Sequence, residues 1–207
     1  MTTAPKLFCI GYGYTCDYLA HELGKQGNWT FAGTTRDPEK LERLRSEGFE
    51  AHIFDYKHPL SDVAHLMRKV THVLITSPPG DEGDPAFRAH GKDLAALPNL
   101  QWLGYLSSTS VYGDKNGALV NEGAEINPTS KRGSRRAKAE EQWLSLHKSA
   151  GLPVHIFRLS GIYGPGRSAL DSVRAGIAKR IEKTGHVFSR IHVEDIVQVL
   201  MASMAQH

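Results

Sequence analysis

The chain has 207 residues, 40% of them hydrophobic and 23% charged, with a formal net charge of +3 at pH 7. That is an ordinary globular composition, large enough to bury a real core in one domain spanning 1–207. The charge excess is too small and too dispersed to imply nucleic acid as the partner, and no apolar run has the length that would imply a membrane.

The start, MTTAPKLFCIGYG, enters a strand-like segment with no h-region and no small-residue cleavage site behind it. Two cysteines, Cys9 and Cys16, make no disulfide framework, so a cytoplasmic location is expected. Short apolar runs bounded by turn residues then alternate with longer helix-period segments. Strands are expected at 6–10 (KLFCI), 30–35, 50–54, 71–76, 101–107 and 153–159, with helices at 15–25, 38–47, 60–68, 85–96 and 133–149. The pattern is that of an α/β fold, a doubly wound parallel sheet whose ligand lies at the carboxyl ends of the strands, where strand order reverses. The irregular stretches 108–131 and 160–168 both follow strands and should overhang that crevice.

GYGYTC directly follows the first strand. Gly11 permits the tight turn, Gly13 lets backbone approach a pyrophosphate, and the amides near Tyr14 and Thr15 at the helix start face the charge. Cys16 stands at the third glycine position and reads as a small packing residue. The second strand ends TTRD, where Thr35 and Arg36 suit a 2'-phosphate better than the acid that binds an NAD ribose, so NADP is expected over NAD. Asp55 after the third strand either meets an adenine amino group or caps the next turn, and Ser77 after the fourth strand joins the cofactor-binding set.

LSSTSVYGD (106–114), FRLSGIYGPGR (157–167) and SRIHVEDI (189–196) occur in that order behind the glycine loop. Together they resemble the extended short-chain dehydrogenases/reductases, the NAD-dependent epimerase/dehydratase family. The resemblance implies a Rossmann domain binding NAD(P), with residues 160–190 as the remnant of a reduced or truncated C-terminal substrate lobe. It also implies that Ser108, four residues before the tyrosine of VYG, hydrogen-bonds the reacting hydroxyl. The family's central pair is a tyrosine and a lysine four apart on one helix, a spacing that puts an ammonium beside a phenol. Here Ser134 and Lys138 keep the spacing in NPTSKRGSRRAKAEEQW; Lys138 either binds the cofactor or is one of several solvated lysines on an exposed face, and the acid is lost. Tyr112 and Tyr163, both in loops expected to overhang the crevice, are candidate substitutes for it, and Tyr112 enters the expected catalytic set.

The basic run 131–138 either meets nucleotide phosphates or is a solvated helix start, and it lacks the interleaved aromatics of a nucleic-acid surface. Arg167 in the YGPG loop either clamps a substrate diphosphate or is simply exposed, while His192 and Asp195 are expected to orient the last helix. None of the 11 histidines has a ligand spacing, so no metal is expected. The resemblance makes the helix at 133–149 the candidate homodimer face. Two functions follow: an NADP-dependent oxidoreductase or epimerase acting on a nucleotide-sugar-like hydroxyl or carbonyl, or a non-catalytic NADP(H) sensor on the same scaffold.

Overall fold

The structure, a computed structural model, describes residues 4–179, 182 and 187–206. Six parallel strands form one sheet: β1 (Lys6–Ile10), β2 (Thr30–Thr35), β3 (Glu50–Ile53), β4 (His72–Ile75), β5 (Trp102–Ser108) and β6 (Val154–Leu159). Their spatial order is β3-β2-β1-β4-β5-β6, so the winding reverses between β1 and β4. That is the doubly wound Rossmann arrangement, and the reversal opens a crevice at the strands' carboxyl ends.

Period-two alternation along the central strands feeds two cores. Leu7, Cys9 and Leu74 face α1 (Tyr14–Gly24), α2 (Pro38–Ser46) and α7 (Val193–Met204). Phe8, Ile10, Val73 and Ile75 face α3 (Val63–Leu66), α4 (Pro85–Ala95) and α5 (Lys131–Ala150). Both faces are covered, so the central strands are apolar on both sides. The helix starts are written locally: Asp37 and Asp84 accept from backbone N–H groups of α2 and α4, each followed by proline at the first helical position. Ser130 caps α5 by accepting from Gly133 N at 3.1 Å, and Gly151, at φ 69°, ends it.

The helix expected over 60–68 shrinks to α3, because Asp62 sits in the left-handed region at φ 45° and blocks helix before Val63. A second, two-stranded parallel sheet pairs β7 (Gly161–Tyr163) with β8 (Arg190–His192), and α6 (Ala169–Arg174) lies between them. Part of the segment 160–190, read as a lobe remnant, lies outside the described residues. Among the described residues no helix is long and apolar enough to cross a membrane.

Candidate functional site

The glycine loop leaves β1 and runs over the end of β4. Gly11 has φ +90°, and a Cβ there would lie 3.0 Å from Ser77 N, so the turn itself requires glycine. Its N–H donates to Thr34 Oγ1 at 2.9 Å, and the Thr76 hydroxyl donates to its carbonyl. Gly13 differs: a Cβ there would meet nothing closer than Gly11 O at 3.7 Å. Protein packing therefore does not demand glycine at 13, and the space in front of it is free for a ligand. Cys16 behind the loop is fully buried, and its thiol donates to Gly11 O at 3.8 Å, which fits the packing reading.

Two cavities flank this loop and share Thr76. The first, of 580 Å³, is walled by Gly11, Thr35, Arg36, Phe54, Asp55 and Ser77, among others. Arg36 is exposed at its rim and has no hydrogen bond or ion pair among the described residues. Asp55 Oδ1 accepts from Lys57 N and His58 N at 2.7 and 2.9 Å, so it caps a turn at the cavity wall. The hydrogen bond from His58, followed by these amides, holds its carboxyl below the usual range. Ser77 Oγ is buried without a hydrogen-bond partner among the described residues.

The second cavity, of 1510 Å³, runs from Gly13, Tyr14 and Thr15 across Ser108 to Arg167. Ser108 Oγ accepts from Ser110 N at 3.2 Å, closing the 3-10 turn Thr109–Tyr112. The YGPG loop folds back on the glycine loop: Tyr14 donates to Pro165 O at 3.0 Å, and the Arg167 guanidinium lies 5.4 Å from the Tyr14 ring centre. This brings Arg167 beside Tyr14, at the glycine-loop end of the crevice.

Helix α5 departs from expectation in its rotation. Gly133 is pressed against the 3-10 turn so closely that a Cβ would lie 2.5 Å from Ser110 O. With Gly133 inward, the buried stripe continues through Arg136, Ala139, Glu140 and Trp143, at helical spacing. The side chains at 132 and 136 line the crevice, whereas Ser134 and Lys138 are exposed and do not. Ser134 Oγ donates back to Ser130 O at 3.1 Å. The four-residue pair at the crevice is thus Arg132 and Arg136, two positions earlier than the Ser134–Lys138 reading. Ala139 and Trp143, packed in the core beneath the sheet, hold the helix in that phase.

Tyr112 is also displaced from its expected role. It is buried outside the crevice lining, and its hydroxyl accepts from Arg158 Nη1 at 2.9 Å, with the guanidinium 5.0 Å from its ring centre. Arg158 pairs in turn with Glu140, Nη2 to Oε2 at 2.9 Å, and Glu140 accepts from Ser107. This buried knot ties β5, β6 and α5 behind the crevice, and nothing in the residue order announced it. Tyr163 lines the crevice and is exposed.

A family model, NAD dependent epimerase/dehydratase family, matches residues 93–207. Protein YeeZ of Escherichia coli (strain K12) is 30% identical over 200 residues, covering 93% of this chain and 70% of YeeZ. The chain belongs to the NAD-dependent epimerase/dehydratase family. Among solved structures, a functionally unknown conserved protein from Silicibacter pomeroyi DSS is 44% identical with a TM-score of 0.85, over 98% of this chain and 68% of that one. UDP-glucuronic acid 4-epimerase from Bacillus cereus, solved with UDP-glucuronic acid and NAD, shares the fold at TM-score 0.77 and 19% identity, over 96% of this chain and 73% of that one.

Proposed function

We propose that this chain binds NADP across the sheet's switch point and acts on a hydroxyl or carbonyl of a nucleotide-sugar-like substrate as an oxidoreductase or epimerase. The observation that carries the reading is the pair of cavities meeting at Thr76, with the glycine loop between them. The 580 Å³ cavity takes the adenosine end, the amides of Gly13 to Thr15 face the pyrophosphate, and the 1510 Å³ crevice takes the nicotinamide and substrate. The open space at Gly13 and the unpartnered Ser77 Oγ fit such a ligand.

Bound there, the dinucleotide supplies or accepts a hydride. Ser108 donates to the reacting oxygen and fixes its position. Arg36, with no partner among the described residues, receives the 2'-phosphate, and Arg167 receives a substrate phosphate. Titration with NADPH, NADP, NADH and NAD, followed by nicotinamide fluorescence, tests the cofactor. Arg36→Ala is expected to weaken the phosphorylated pair at least tenfold and to leave NADH and NAD unchanged. Equal loss for all four removes the 2'-phosphate role, and no binding of any overturns the reading. Oxidation of bound NADPH by a panel of nucleotide sugars and ketones tests turnover. Tight binding without turnover on any of them favours sensing instead.

A further inference from the structure

Arg136 is a buried cation with no carboxylate in direct contact among the described residues. It is 8% exposed, its Nη1 donates to Tyr105 Oη at 3.1 Å and to Leu106 O, and its guanidinium lies 5.5 Å from the Tyr105 ring centre. Among the described residues no carboxylate comes within 4.0 Å of it. Glu140, one turn along the same helix, is committed to Arg158 and Ser107 instead. A buried charge left unpaired is costly, by several kcal/mol on the order of magnitude usual for interior ions, unless an anion completes it.

Buried Asp84 acts on Arg136 electrostatically from the core side, but the described crevice lining supplies no free anion. Arg132, one helical turn before Arg136, lines the same wall, is exposed, and has no hydrogen bond or ion pair among the described residues. Across the crevice stand Arg167, Lys179 and Arg190. Asp171 is the only carboxylate among the described lining residues, and it is occupied by Ser168 N and Oγ, at 2.8 and 2.7 Å. On the wall beside the pair, Ser110 Oγ is buried with no hydrogen-bond partner among the described residues. The site therefore offers two guanidinium groups and a hydroxyl converging on one cavity, with positive potential around them.

Guanidinium groups do not deprotonate in proteins, so this pair cannot relay a proton as a phenol and an ammonium do. What their planar forks do well is hold two oxygens of one oxyacid. We propose that Arg132 and Arg136 form a binding site for an oxyacid anion, a carboxylate or phosphate carried by the second ligand. The substrate class narrows accordingly to molecules bearing an anionic group at the reacting end, beyond any diphosphate held near Arg167. The inference rests on the crevice assigned above and not on the identity of the dinucleotide.

The test uses the full chain, with and without saturating NADPH, titrated calorimetrically with pyrophosphate and, separately, with succinate at low ionic strength. The two probes separate a phosphate from a carboxylate preference. NADPH occupies the glycine loop, so pyrophosphate binding there is removed from the NADPH-loaded arm. Arg132→Gln, at an exposed position, keeps the fold, as a thermal melt checks. It is expected to weaken the preferred probe at least tenfold, Arg132→Lys to recover part of that, and NADPH affinity to stay unchanged in both. Equal probe affinity in the native chain and Arg132→Gln, or binding of neither probe, overturns the proposal. Loss of NADPH binding in the native chain would instead strike the cofactor reading, leaving an Arg132-dependent anion site standing.

Discussion

Replacing Asp84 by asparagine removes a charge that the fold holds at a cost. Asp84 is fully buried as the cap of α4, with Oδ1 accepting from Phe87 N at 2.9 Å and Oδ2 buried without a hydrogen-bond partner among the described residues. Burial pushes its carboxyl up to about 6 from the ordinary 3.8, with the Phe87 N–H and Arg136 pulling the other way. A rise of about 2 units at about 1.4 kcal/mol each makes about 3 kcal/mol of destabilisation when the group is ionised. The sign follows from a folded value above the unfolded one. Protons bind the folded state more tightly, so the penalty is complete above about pH 6 and disappears as pH falls toward about 4.

Asparagine keeps the cap and stays neutral throughout, although its new N–H groups at the Oδ2 position find no acceptor and cost about 1 kcal/mol or more. That cost does not depend on pH. The expected result is therefore a stability difference between Asp84→Asn and the native chain that moves in the variant's favour by about 3 kcal/mol from about pH 4 to about pH 7. Urea unfolding across that range measures it. A difference that stays constant with pH would refute the assignment of a strained, ionised Asp84.

The two loop glycines should separate by assay. Gly11→Ala forces a side chain into φ +90° against Ser77 N and should cost about 1–2 kcal/mol of stability, whereas Gly13→Ala should leave the melting temperature nearly unchanged and abolish dinucleotide binding. Normal binding by Gly13→Ala would remove the pyrophosphate from that loop. Glu140→Gln leaves the partly buried Arg158 without its carboxylate and should destabilise by about 1–3 kcal/mol, while Glu140→Leu combined with Arg158→Met should recover much of the loss. A denaturation midpoint for Glu140→Gln equal to the native one would show that the knot behind the crevice contributes nothing net.

Much of the scaffold is legible along the chain because its signals are local. β1 and β2 lie at their expected residues, and β3 to β6 within one residue at each end, since each is an apolar run closed by turn residues. Asp37-Pro38 and Asp84-Pro85 announce two helix starts. The glycine loop, Arg36, Asp55, Ser77, Ser108 and Arg167 all line the two cavities, because each follows a strand whose carboxyl end must face the ligand crevice. β7 and β8 leave no periodic trace in the sequence, because they are three residues long and pair across more than 25 intervening positions.

By itself the sequence determined a doubly wound sheet, a glycine loop at its first turn and a helix that opens with a basic run. Local propensity, capping and the two hydrophobic periods suffice for those. Only the tertiary structure decided which basic residues enter the crevice. The rotation of α5 is set by the contact of Gly133 with Ser110 O and by the burial of Trp143, both of which involve partners brought together by the fold. A helix rotates about 100° per residue, so Ser134 and Lys138, two positions on from Arg132 and Arg136, turn away from the crevice that those arginines line.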